Sequence, residues 1–217
     1  MYAQLNSQII FYEKWGKGKR NIIMLHGNGE SHEIFTELSD ALKDDYTIYA
    51  PDTRGHGLSA TPKEYHYEDM AGDLINFIRF IDVKNPDILG FSDGAIIAMI
   101  SAIREPELFG TLFLCGGNLS PKGLSFKAAH EIKKARKRER SPLSELMLNE
   151  PDISPDMLSR IISKTYVIAG EKDMIKESET RKIASSISDS KLLILPGEDH
   201  GSYVNHSDKL KDIILQR

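Results

Sequence analysis

The sequence predicts an α/β fold built on a mostly parallel sheet with helices on both faces. Short apolar runs rich in β-branched, aromatic and leucine residues alternate with longer amphipathic stretches. The short runs are continuously apolar rather than alternating, as expected of strands buried on both sides. Regular alternation of strand and helix patterns implies right-handed crossovers, and therefore parallel neighbours.

The first element is an exception. Tyr2–Leu5 and Gln8–Glu13, around Asn6 and Ser7, read as an antiparallel hairpin at one edge. Buried strands are then expected at Asn21–Leu25, Tyr46–Ala50, Asp87–Leu89, Thr111–Cys115, Thr165–Ala169 and Lys191–Leu195. Between them, Met70, Leu74, Ile78 and Ile81 recur at spacings of three and four and make one helical stripe. Ala95–Ile103 is apolar nearly all round, which predicts a buried helix. A last helix is expected from about Ser207 to Leu215. One segment breaks the rhythm: residues 119–160 carry no strand signal and read as two or three short helices inserted between strands. The expected organisation is one core, residues 1–118 and 161–217, with a short helical lid at 119–160.

Composition fits this reading. A chain of 217 residues and 24.4 kDa suits one domain. With 40% hydrophobic and 28% charged residues it resembles an ordinary globular protein, which argues against wholesale disorder. A net charge of −4 and a pI near 6.0 argue against a dedicated nucleic-acid binder. The single cysteine, Cys115, rules out an internal disulfide and fits a reducing compartment; it falls inside an expected strand and reads as a small core residue. No run approaches the roughly eighteen apolar residues needed to span a bilayer, and the opening residues lack a signal-peptide core. The expectation is a cytoplasmic protein without membrane or nucleic-acid partners.

The strongest local signal is Gly90-Phe91-Ser92-Asp93-Gly94, which follows an apolar strand and opens an apolar helix. A serine on so sharp a turn leaves no room for side chains two residues before and after it, hence the paired glycines. The turn lifts the Ser92 hydroxyl above the strand ends, beside a helix N-terminus that favours developing negative charge. His26-Gly27-Asn28-Gly29 follows another strand and can aim a backbone N–H at a substrate oxygen. The N–H groups of Asn28 and Asp93 are the expected two-donor oxyanion hole, while His26 reads as a structural brace. Gly170-Glu171-Lys172-Asp173 and Gly197-Glu198-Asp199-His200-Gly201 follow two further strands. All these groups lie just beyond strand C-termini, where open parallel sheets bind ligands.

With these motifs in hand, the sequence resembles the α/β-hydrolase superfamily. The resemblance rests on the HGNG loop at His26, the segment Asp52-Thr53-Arg54-Gly55-His56-Gly57-Leu58-Ser59, the GFSDG turn, the GEKD turn and the final Asp199-His200-Gly201. It implies Ser92 as nucleophile, Asp173 as the acid and His200 as the base. Glu171 is the local rival for the acid; Asp199 reads as a loop-bracing carboxylate. Serine at the elbow, where relatives that work through alkyl-enzymes carry aspartate, implies acyl transfer. The implied activity is hydrolysis of a small carboxylic ester without a cofactor. An amidase, an aminopeptidase or an amino-acid ester hydrolase of the same fold is the alternative, and a non-catalytic ligand receptor is another. Asn28, Phe91 and Asp93 are candidate substrate contacts, and the Ser-Asp-Gly variant resembles that of relatives acting on amino-acid esters. Physically, the Asp93 carboxylate is a candidate partner for a substrate ammonium group, against the plainer expectation that it caps its helix.

The remaining signals read as structural. Arg54 and His56 are expected to brace the turn, and His32, His66, His130 and His206 show no metal-ligand spacing. From Phe126 to Arg140 there are seven Lys or Arg against two Glu, a solvated basic face with Phe126, Ala129, Ile132 and Ala135 expected inward. Leu143, Leu146 and Met147 are candidates for an apolar pocket wall.

Overall fold

A computed structural model describes residues 1–6 and 8–216, with Glu139 described by its backbone. The opening hairpin forms from β1 (Tyr2–Gln4) and β2 (Ile9–Trp15), paired antiparallel; Ser7, in its expected turn, lies outside the described residues. The sheet continues with β3 (Arg20–Leu25), β4 (Tyr46–Pro51), β5 (Asp87–Phe91), β6 (Leu112–Cys115), β7 (Thr165–Lys172) and β8 (Ser190–Asp199). Its order is β1-β2-β4-β3-β5-β6-β7-β8. β2 meets β4 antiparallel, and every pairing from β4 to β8 is parallel.

The continuous apolar strands serve both faces. Ile23 and Leu25 of β3 face one core with Ile88, Leu112 and Leu114, while Ile22 and Met24 face the other with Leu89, Phe113 and Cys115. The first core is covered by α2 (Tyr67–Phe80), α3 (Asp93–Arg104) and α7 (Glu177–Ser186). The second is covered by α1 (Thr36–Leu42) and α8 (Lys211–Leu215). Every residue of α3 from Asp93 to Ile103 is buried, as its all-round apolarity requires. Burial also pushes the Cys115 thiol well above its usual pKa, which makes it an inert core group.

Helices α1 and α7 were not evident from sequence. Helix α7 buries only Glu179, Thr180, Ile183 and Ala184, a stripe with a single large apolar side chain. The last helix starts at Lys211 rather than Ser207, because the Ser207 hydroxyl accepts the Lys209 N–H at 3.3 Å and offers the backbone a turn instead.

Between β6 and β7 run α4 (Phe126–Glu139), α5 (Pro142–Asn149) and α6 (Pro155–Leu158). Ser125, Ser141 and Ser154 each cap one of these helices by accepting a backbone N–H of its first turn. In α4 the buried stripe is Ala128 and Ile132, packed on Leu124 and Ile175. Phe126 falls outside that stripe and is 92% exposed, against the inward position expected of it. Among the described residues no helix is long and apolar enough to cross a membrane.

Candidate active site

The Gly90–Gly94 turn joins β5 to α3. Ser92 has φ 53° and ψ −113°, a conformation non-glycine residues rarely hold. Its flanking glycines are forced by contact. A Cβ on Gly90 would lie 2.4 Å from the Gly94 carbonyl oxygen, and one on Gly94 would lie 2.2 Å from the Leu25 carbonyl oxygen. The Ser92 N–H donates to the Cys115 carbonyl at 2.8 Å, which pins the turn to β6.

The three side chains singled out in sequence meet here. Ser92 Oγ lies 3.0 Å from His200 Nε2, and His200 Nδ1 lies 2.6 Å from Asp173 Oδ1. Parallel pairing of β7 with β8 continues to Lys172 opposite Asp199, so the Asp173 carboxylate and the His200 imidazole emerge side by side. Asp173 is held by the Ile175 N–H at 2.8 Å on Oδ1 and the Gly170 N–H at 3.4 Å on Oδ2. The rivals point elsewhere. Glu171 accepts the Gly197 N–H at 2.8 Å, and Asp199 accepts the N–H groups of Gly201 and Ser202 at 3.1 and 2.9 Å. A residue that sequence reasoning passed over is Gly116: at φ 62°, a Cβ there would come within 2.8 Å of His200 Cε1, so the bare backbone makes room for the ring.

Asn28 and Asp93 are also brought together. The Asn28 amide donates to Asp93 Oδ2 at 2.8 Å, and the Tyr67 hydroxyl donates to Asp93 Oδ1 at 2.8 Å. The carboxylate therefore does not cap α3, the plainer expectation; it forms part of a cavity wall. Burial pushes its carboxyl above the usual range, and the two donors oppose that push. The Asp93 N–H belongs to the first turn of α3, where helical N–H groups have no partner within the helix. Phe91 lies against the imidazole, ring centroids 5.0 Å apart.

The cavity over Ser92 has a volume of about 330 Å³. Leu124, Ile132, Met147, Met174 and Ile175 form its apolar side. Of the leucines and methionine expected at such a wall, Met147 lines this cavity; Leu146 is buried in the first core, and Leu143 offers its carbonyl to Asn28 at 3.5 Å. Among the described residues, three carboxylates, Glu30, Asp93 and Glu150, line it and no lysine or arginine does.

The bracing residues are engaged as structure. Arg54 grips Asp73 with two bonds of 2.7 and 2.9 Å, tying the loop after β4 to α2. His26 is buried; its Nε2 accepts the Thr53 N–H at 3.0 Å, so the proton sits on Nδ1, 2.7 Å from the Gly27 carbonyl. Burial, with His56 adding repulsion, lowers its pKa to about 4, although Asp52 and the Gly27 carbonyl pull upward. The unfolded chain therefore binds a proton between about pH 6.5 and 4 that the folded chain refuses, so stability falls as pH drops through that window. The expected loss is up to about 3 kcal/mol. Denaturant unfolding at pH 7 and pH 4.5 measures it, and His26→Gln should show a shallower decline; an equally steep one would place the effect elsewhere. Among the described residues no cluster of His, Cys, Asp and Glu is arranged to hold a metal ion.

Comparison with known proteins agrees with this architecture. The sequence model of the alpha/beta hydrolase fold matches residues 20–138. The serine hydrolase BPHL of Homo sapiens is 24% identical over 247 residues, covering 98% of this chain and 84% of the relative. An esterase from Exiguobacterium antarcticum superposes with a TM-score of 0.85 at 20% identity, covering 99% of this chain and 97% of that one. The enol-lactonase from Burkholderia xenovorans LB400 superposes with a TM-score of 0.82 at 19% identity, covering 100% and 98%. With over half its residues matched by the family and essentially its whole length following that fold, the chain belongs to the alpha/beta hydrolase fold family.

Proposed function

We propose that the chain is a serine hydrolase that cleaves small carboxylic esters through an acyl-enzyme on Ser92. The observation that carries this reading is the unbroken hydrogen-bond line from Ser92 Oγ through His200 to Asp173, 3.0 and 2.6 Å long. In this reading His200 Nε2 takes the hydroxyl proton as Oγ attacks the ester carbonyl. Asp173 holds the imidazole in the tautomer with its proton on Nδ1 and stabilises the cation. The N–H groups of Asn28 and Asp93 receive the oxyanion, each worth roughly 3–4 kcal/mol of transition-state stabilisation. His200 then gives its proton to the leaving alcohol, and a water it deprotonates releases the acid. We read residues 119–160 as the lid, because Leu124, Ile132 and Met147 from that segment close the apolar side of the cavity. The esterase and lactonase names of structural neighbours support an oxygen ester as the scissile bond.

A second reading concerns the acyl group. Carboxylates from three parts of the chain, facing a cavity that no lysine or arginine lines among the described residues, favour a substrate carrying an ammonium group. One panel tests both readings: matched esters and amides, each with a neutral or an α-ammonium acyl group. Esters should turn over faster than amides, and the ammonium esters fastest. Asp93→Asn should lower kcat/KM selectively for the ammonium esters. Faster turnover of amides would sink the esterase reading, and equal losses on neutral esters would sink the role given to Asp93.

A further inference from the structure

Glu30 sits in the loop after β3, and the proton transfers proposed above give it no task. Its Oε2 accepts the N–H of Gly27 at 2.9 Å, and its Oε1 accepts the side-chain amide of Asn205 at 2.6 Å. Gly27 immediately precedes Asn28. Asn205 belongs to the turn that follows His200, where its own N–H donates to the Gly201 carbonyl at 2.8 Å. One carboxylate therefore spans two loops whose bonded residues, Glu30 and Asn205, lie 175 positions apart in sequence. It does so beside the nucleophile: a methyl group built on Gly27 would be 2.7 Å from Glu30 Oε2 and 3.1 Å from Ser92 Cβ.

Even a half-buried carboxylate is costly unless its oxygens are satisfied by donors. Burial pushes its carboxyl above the usual range, while the Asn205 and Gly27 donors and the nearby His200 oppose that. Glu30 also lines the cavity over Ser92.

We propose that Glu30 is a positioning residue, whose carboxylate fixes the distance between the loop presenting Asn28 and the loop presenting His200. The inference rests on the serine hydrolase reading above. Movement of either loop would misplace the oxyanion donor or the base relative to Ser92, and misplacement of about 1 Å can cost about 10²-fold in rate.

The test begins with wild-type protein and a fluorophosphonate. No labelling at Ser92 would remove the hydrolase reading, and this proposal with it; labelling lets the two be judged apart. With a neutral activated ester, Glu30→Ala is then expected to lower kcat by about 10²-fold and to slow labelling in parallel, with KM changed much less. Glu30→Gln should stay within about threefold of wild type, since both bridges survive as neutral bonds. Its oxygen can serve Gly27, and its amide can donate to Asn205 Oδ1, a buried atom without a partner in the native arrangement, once that amide turns over. Asn205→Ala should resemble Glu30→Ala, and the double variant should be no worse than either alone. If Glu30→Ala does not fold, Asn205→Ala carries the same comparison. Wild-type kcat in Glu30→Ala or Asn205→Ala, a Glu30→Gln variant as impaired as Glu30→Ala, or a loss confined to KM would each overturn the proposal.

Discussion

Replacing Ser92 with alanine is expected to lower turnover of an activated ester by about 10⁶-fold and to leave the fold intact. The hydroxyl's partner is His200, so deleting it removes the proposed nucleophile and little else. The elbow itself rests on other contacts. The Ser92 N–H still reaches the Cys115 carbonyl, and Gly90 and Gly94 still allow the close approach of β5, α3 and β3. Alanine and serine bear nearly the same strain at φ 53°, so the unfolding midpoint should move by less than about 1 kcal/mol equivalent. Fluorophosphonate labelling should vanish, while the oxyanion donors keep a residual rate above that in water. Wild-type turnover by the variant would end the assignment of Ser92 as nucleophile. Lost turnover together with a collapsed melting transition would show that the hydroxyl served the fold.

The parts of this molecule that could be read in the sequence are those with a local physical signature. The strands after the hairpin are such a case, since each is a short apolar run feeding two cores at once. The elbow is another, because two glycines four apart answer a collision between adjacent backbones. Asp173 and His200 were legible because each follows a strand whose end the fold places at the site. What escaped has no local signature. Glu30 looks like any loop glutamate until Asn205 arrives from the far end of the chain. The Asp93 carboxylate was expected to cap its own helix, and it turns instead to Tyr67 and Asn28, groups supplied by α2 and the β3 loop. Helix α7 hid for a different reason: its buried stripe includes Glu179, whose Oε1 accepts the Leu119 N–H at 3.0 Å, so a charged residue occupies an inward position. Phe126 shows the converse, a large apolar side chain left outside.

Asp173→Asn is expected to lower kcat by about 10⁴-fold with the site geometry preserved. The carboxylate now accepts from His200 Nδ1 at 2.6 Å and from the Ile175 N–H at 2.8 Å through the same oxygen, with Gly170 N–H on the other. An asparagine oriented with its oxygen toward the Gly170 N–H presents its amide group where Oδ1 stood, toward the imidazole. Nδ1 must then accept, and the ring proton moves to Nε2, where it points at Ser92 and cannot be exchanged for the hydroxyl proton. In the proposed mechanism Asp173 acts by choosing a tautomer as well as by stabilising the imidazolium, and the substitution removes both effects with a change of one atom. In the proposed mechanism Asp173, His200 and Ser92 act as a unit, so the losses should not add: Ser92→Ala combined with Asp173→Asn should be no slower than Ser92→Ala alone. Steady-state rates for the three variants, with melting curves to establish that each is folded, decide the matter. A folded Asp173→Asn enzyme within tenfold of wild type would mean that another group orients His200, and Asp173 would lose its place beside it.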